Sequence, residues 1–136
     1  MADHQHKHQV FISYSYVDSD WAGRLAAALA ERNIVVWFAG DEIKPGEPFL
    51  DRMEEGLRQS AYVVPIISRH SARSSNMAAE LGAALALRKL LIPVVEEDAP
   101  RDEIPGPIRL RRYLVQREPE QVADEIASVV ASAPTA

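Results

Sequence analysis

The chain has 136 residues, of which 47% are hydrophobic and 26% are charged, and its formal net charge is −5. This length and composition are typical of one globular domain with a real core, and the acidic balance argues against a nucleic-acid or anionic-membrane surface. The lack of cysteine excludes disulfides, thiolate nucleophiles and Cys–zinc sites. No apolar run approaches the ~20 residues of a membrane span. The polar start, MADHQHKHQ, lacks the apolar stretch of a signal peptide, so we expect a cytoplasmic location.

Strand and helix patterns alternate along the chain. β-branched and aromatic runs predict strands, and apolar residues at helical spacing predict helices. In the first helix, Trp21, Leu25, Ala28 and Leu29 recur at helical spacing and are predicted to face the sheet. The predicted strands are 10–13, 34–38, 62–67, 90–95 and 111–115. The predicted helices are 20–32, 48–60, a segment that contains Glu80 and ends near residue 89, and 118–132.

Local signals mark the ends of these elements. Asp18 or Ser19 is predicted to cap the first helix, and Asn33 is predicted to end it. Pro65 lies inside the third strand and predicts a bulge or a weakly bonded segment, and Pro93 lies inside the fourth.

The alternation predicts an α/β fold with helices on both faces of a parallel sheet. The simplest form at this size is a flavodoxin-like, five-stranded sheet of order 2-1-3-4-5. We expect residues 9–131 to form this domain, with a disordered tail at 1–8 and a linker-like tail at 132–136, where a longer natural protein could continue.

In that strand order, the binding crevice lies where the loops after the first and third strands meet. The loops bring together six polar candidates: Ser13, Tyr14, Ser15, Ser74, Asn76 and Glu80.

Common motifs of related folds are missing from the sequence. No G-x-G-x-x-G follows the first strand, and there is no G-x-x-x-x-G-K-[ST] and no G-x-S-x-G elbow. A receiver domain would need acidic residues where this chain has Tyr-Ser-Tyr at 14–16 and Ser-Arg-His at 68–70.

Four boxes in order resemble those of a known family. They are VFISYS at 10–15; VW at 36–37 followed by IKPG at 43–46; VVPIIS at 63–68 followed by Ser74 and Glu80-Leu81; and LIPV at 91–94. The chain resembles the TIR (Toll/interleukin-1 receptor) domains, and more closely their bacterial branch, over about residues 9–130.

The resemblance implies cleavage of NAD⁺ between nicotinamide and ribose, with Glu80 as the catalytic carboxylate. Nicotinamide leaves a pyridinium as a neutral molecule, so one carboxylate can act without a second as general acid. NAD⁺ is then the substrate, and no separate cofactor and no metal is expected. The implied substrate-binding residues are Ser13, Tyr14, Ser15, Trp37, Ser74 and Asn76. Trp37 is equally well interpreted as a core aromatic.

The resemblance also implies assembly through the loop after the second strand. Its residues are Gly40, Asp41, Glu42, Lys44, Pro45 and Gly46. In the family this loop packs against the next subunit, and head-to-tail contacts of that kind can form filaments. The expected partners are NAD⁺, other TIR domains, and a sensor domain on the same chain or on a partner protein. Arginines 109, 111, 112 and 117 either serve this interface or form a solvated edge.

Three functions stay open at this point. The first is an assembly-activated NAD⁺ nucleosidase, a hydrolase or a cyclase, in bacterial anti-phage immunity. The second is a non-enzymatic TIR adaptor, which Asn76 and Ala39 favour because the family often has Trp and Asp there. In an enzyme, the stacking surface that Asn76 does not provide would come from Tyr16 or a neighbouring subunit. Retention of Glu80, Ser74 and the Tyr-Ser loop favours the enzyme. The third is a nucleotide- or base-modifying enzyme of related fold.

Overall fold

The computed structural model describes residues 8–38, 45–46, 48–71, 82, 86, 88–100, 102, 104 and 112–132. Its strands are β1 His8–Ser13, β2 Val36–Trp37, β3 Ser60–Ile67, β4 Leu90–Leu91, β5 Val94–Val95 and β6 Leu114–Val115. Its helices are a short 3₁₀ helix at Tyr16–Asp18, α1 Ser19–Glu31, α2 Phe49–Arg58 and α3 Pro119–Ser132. Gly82 and Ala86, which belong to the predicted Glu80 helix, are also helical.

The described strands form one parallel sheet in the order β2-β1-β3-β5-β6, with β4 also paired to β3. The predicted α/β class is confirmed. β4 and β5 are the two ends of the predicted fourth strand, and the observed order differs from the predicted 2-1-3-4-5 only by this division. The strand count was wrong, because that one predicted strand is divided in two.

Two facing prolines explain the division. Tyr62 pairs with Leu90 and Ile66 pairs with Val94 in the same register, which places Pro65 opposite Pro93. A proline has no N–H to donate, so the ladder is interrupted where both strands carry one. The predicted weak segment is therefore present, although β3 itself runs unbroken through Pro65.

The main core lies between the sheet and the helices α1 and α3. Alternate strand residues point to this face because successive side chains of a strand point to opposite faces. The buried strand residues on it include Val10, Ile12, Val64, Ile66 and Val94, and they meet Leu25 and Leu29 of α1 and Val122 and Ile126 of α3. The predicted apolar stripe of α1 is thus confirmed at Leu25, Ala28 and Leu29.

The second face of the sheet is covered by α2. Phe11, Trp37 and Val63 form a buried cluster there with Leu57 of α2. The two helical layers lie on opposite faces, as predicted, and leave the carboxyl ends of the parallel strands at one edge. Within the described residues, no helix has both the length and the apolarity to cross a membrane.

Candidate functional site

The carboxyl ends of β1 and β3 bring two polar loops together. Residues 14–18 follow β1, residues 68–71 follow β3, and the two strands are paired directly up to Ser13 and Pro65. This is the topological switch point of the sheet, where open α/β folds bind ligands.

Asp18 joins the two loops. Its Oδ2 accepts a hydrogen bond of 2.6 Å from the Ser68 hydroxyl, fifty residues away in sequence. Asp18 does occupy the N-cap position of α1, but its side chain makes no capping hydrogen bond. The prediction that it caps the helix through its side chain was therefore wrong, since the carboxylate is directed across the crevice to Ser68.

The turn at 68–71 is organised by two buried hydroxyls. Ser68 Oγ accepts hydrogen bonds of 3.1 Å from the amides of His70 and Ser71. Ser71 Oγ accepts one of 2.8 Å from the Ser68 amide and donates one of 2.7 Å to the Ile66 carbonyl. Short hydroxyl side chains often build turns by bonding nearby backbone groups in this way.

A second carboxylate holds the same turn from its other side. Glu96, directly after β5, accepts a hydrogen bond of 3.1 Å from the Arg69 amide through Oε1. The Glu96 amide in turn donates to the Ile67 carbonyl at 2.8 Å. The start of the segment that leads to Glu80 is thus fastened to the loop that follows β1 and to the residue that follows β5.

The first predicted substrate loop lies beside this network. Ser13 is buried at the end of β1, and Ser15 is half-buried, with its carbonyl accepting the Asp18 amide at 2.8 Å. Tyr14 is half-buried and its ring stacks on Phe38, with centroids 4.9 Å apart and planes at 15°.

An open groove of about 540 Å³ runs from this loop along α1. Its walls are Tyr14, Tyr16, Phe38 and the α1 residues Ser19, Asp20, Gly23, Arg24 and Ala27. Tyr16 stands at its mouth with 89% of its surface exposed. The groove therefore has one stacked aromatic pair and one exposed aromatic ring.

Trp37 lies elsewhere. It is 2% exposed, and its ring stacks on Phe11 at 4.8 Å and 9° beneath α2. This placement favours the interpretation of Trp37 as a core aromatic and gives no support to a substrate-lining role.

Several predicted site residues fall outside the described part of the chain. They are Glu80, Ser74 and Asn76 of the predicted site, and Gly40, Asp41, Glu42 and Lys44 of the predicted assembly loop. Pro45 and Gly46 form an exposed turn, in which Gly46 has φ 90°. The roles of all these residues stay predictions.

Sequence reasoning missed the partners that organise the crevice, namely Phe38, Ser68, Ser71 and Glu96, and the role of Asp18. Ser68 stood at the end of a family-like box, which was the one available signal. Phe38, Glu96 and Asp18 depend on contacts between segments that are distant in sequence. Ser71 bonds to Ser68 and Ile66, which lie close to it in sequence.

The family assignment follows from the sequence. Residues 10–129 match the sequence model of the family described as TIR domain. The chain belongs to the TIR domain family. No curated protein matches this TIR domain. Its placement in the bacterial branch stays a prediction.

Solved structures share the fold of this TIR domain. A metazoan TIR-STING receptor from C. gigas, in complex with 2′,3′-cGAMP, aligns with a TM-score of 0.80 and 23% identity over 93% of this chain. The TIR domain of the Toll-related receptor TRR-2 from Hydra magnipapillata aligns with a TM-score of 0.69 and 17% identity, and the alignment covers 92% of this chain and 93% of that one. The TIR domains of the activated Roq1 resistosome, which recognises the effector XopQ, align with a TM-score of 0.62 and 19% identity, and the alignment covers 93% of this chain and 72% of that one. The present chain spans only 40% of the TIR-STING receptor.

Proposed function

We propose that this TIR domain is an NAD⁺ nucleosidase that breaks the bond between nicotinamide and ribose. The observation that supports it best is the Asp18–Ser68 hydrogen bond, which fastens the loop of Tyr14 and Ser15 to the segment that leads to Glu80. A catalytic carboxylate on that segment would face a loop already held at the switch point of the sheet, next to an open aromatic groove.

The chemistry needs one anionic group and a defined pocket. The C1′–N bond breaks, its electron pair leaves with neutral nicotinamide, and positive charge develops on the ribose. Glu80 holds the ribose hydroxyls and stabilises that charge electrostatically. In hydrolysis, water bonds to C1′ and releases a proton to solvent, which yields ADP-ribose. In cyclisation, a nucleophilic atom of the same ADP-ribose molecule takes the place of water.

Tyrosines of the loop after β1 would provide the stacking surface for nicotinamide. The Trp37 ring is covered by Phe11 and α2, whereas Tyr14 and Tyr16 line the open groove. Aromatic faces of this kind bind planar heterocycles by offset stacking.

Assembly would switch this activity on. TIR domains contact one another, and the loop that contains Gly46 is the proposed contact with the next copy. A domain of this kind fits a cytoplasmic immune protein whose sensor, on the same chain or a partner, triggers assembly. Its activity would therefore rise with the concentration of the domain.

Nicotinamide release from NAD⁺ tests the proposal. Concentrated or crowded wild-type protein is compared with Glu80→Gln and with Glu125→Gln, the same change at an exposed position of α3. We expect turnover in the wild type and the control and its loss in Glu80→Gln, and the products distinguish hydrolase from cyclase. Turnover that survives Glu80→Gln would show that the catalytic carboxylate has been assigned wrongly.

A non-enzymatic adaptor is the second candidate. The burial of Trp37 favours it, because one of the predicted stacking rings is in the core. Visible self-association with no nicotinamide release would support the adaptor and reject the enzyme.

A further inference from the structure

The carboxylate of Asp18 accepts the hydrogen bond of the Ser68 hydroxyl, which itself accepts the amides of the turn after β3. We propose that Asp18 is a positioning residue of the NAD⁺-cleaving site, which acts through Ser68 to hold the turn after β3 against the loop after β1. This inference rests on the proposed function. It assigns to Asp18 a role that is distinct from binding substrate or reacting with it.

The hydroxyl of Ser68 has no equivalent alternative to Asp18. Its two acceptor positions are occupied by the amides of His70 and Ser71. Its one hydrogen goes to Asp18 Oδ2 at 2.6 Å, whereas the Ser71 oxygen is 3.4 Å away and already bonds the Ser68 amide and the Ile66 carbonyl. Ser68 is fully buried, so water does not readily replace the lost acceptor.

The network controls the crevice more than the core. The bond between Asp18 and Ser68 joins the loop after β1 to the loop after β3, and it does not connect two helices or strands that pack in the core. Glu96 holds the backbone of the same turn from the residue after β5, so loss of Asp18 would release the turn from the loop after β1. Displacement of a reacting group by ~1 Å can cost about a hundredfold in rate.

If Asp18 positions the turn, position 18 needs a hydrogen-bond acceptor but does not need a negative charge. Asn at position 18 keeps an acceptor oxygen but removes the charge, whereas Ala removes both. We therefore expect Asp18→Ala to lower kcat by about 10- to 100-fold with KM changed less than about threefold, and Asp18→Asn to restore kcat to within about threefold of wild type.

The test uses the full chain and measures kcat and KM for nicotinamide release. The variants are Asp18→Ala, Asp18→Asn, Ser68→Ala and the double alanine variant, with Asp124→Ala on α3 as an acidic control outside the crevice. Asp18→Ala should cause little further loss in the Ser68→Ala background, because residues that act through one another are not additive. Wild-type kcat in Asp18→Ala, equal loss in Asp18→Asn, or full additivity with Ser68→Ala would each overturn the proposal.

Hydrogen exchange separates failure of this proposal from failure of the enzyme assignment. The amides of His70 and Ser71 should exchange at least tenfold faster in Asp18→Ala than in wild type and return toward wild-type protection in Asp18→Asn. Unchanged exchange would overturn the positioning role whatever the activity. Absence of wild-type turnover together with the expected exchange pattern would reject the nucleosidase. Asp18 would then position the turn of an interaction module, and its proposed role in catalysis would be overturned.

Discussion

Gly56 of α2 lies directly against the indole ring of Trp37. A Cβ built on Gly56 would overlap the fused-ring atoms of Trp37, which is itself stacked on Phe11. The missing side chain of Gly56 is therefore what allows α2 to lie close on this face of the sheet, with Trp37 buried beneath it.

Replacement of Gly56 by alanine should destabilise the domain. Overpacking of a filled core typically costs ~1–3 kcal/mol, which exceeds the ~1 kcal/mol that alanine gains over glycine inside a helix. Gly23→Ala in α1 is the matched control, because its Cβ would meet Phe38 at an ordinary 3.5 Å. Urea unfolding should show a lower midpoint for Gly56→Ala and an equal or higher one for Gly23→Ala. Equal midpoints for both variants would show that Trp37 can move aside without cost.

Replacement of Asn33 by glycine should destabilise the domain less than replacement by valine. Asn33 ends α1 with φ 63°, and the amides of Asn33 and Ile34 donate to the carbonyls of Ala30 and Leu29 at 3.0 and 3.1 Å. This is a Schellman ending, in which Gly and Asn tolerate the left-handed conformation. Asn33→Val should cost ~1–2 kcal/mol in the free energy of unfolding, and Asn33→Gly should cost little. Equal stability of the two variants would contradict the expectation.

Removal of the Tyr16 ring should weaken NAD⁺ cleavage without weakening the fold. Tyr16 is highly exposed at the mouth of the groove, so its loss leaves the core unchanged, whereas a stacking contact is worth ~0.5–1.5 kcal/mol. We expect Tyr16→Ala to lower kcat/KM by up to about tenfold and Tyr16→Phe to retain it. Val17→Ala is the control, because Val17 is the exposed neighbour on the same turn. A loss that is as large in Val17→Ala would point to the turn itself rather than to the ring.

Specific activity should increase steeply with protein concentration, and Gly46→Ala should weaken that increase. Gly46 has φ 90° in an exposed turn, and no atom of the described residues lies within 4 Å of a Cβ built on it, so alanine strains the backbone there without a clash with that part of the chain. The strain costs ~1–2 kcal/mol locally and alters the proposed contact with the next copy. A dilution series of nicotinamide release, with light scattering for assembly, measures both. Constant specific activity across the series would exclude activation by assembly.

Local sequence signals predicted the architecture well because they report local physics. The alternation of strand and helix patterns predicted the sheet order, and the spacing of Leu25, Ala28 and Leu29 predicted the buried face of α1. Asn33 marked the end of that helix because a left-handed residue is favoured there. Pro65 and Pro93 each indicated weak bonding, and the tertiary structure showed that they face each other across two strands.

The sequence by itself determined the α/β class, the order of the strands and the family, because these depend on periodicity and on motifs that lie within short stretches. The tertiary structure decided where Trp37 and Asp18 act. Trp37 is buried because Gly56, nineteen residues later, leaves room for its ring beneath α2. Asp18 binds Ser68 rather than its own helix because parallel pairing of β1 and β3 brings together two loops that are fifty residues apart.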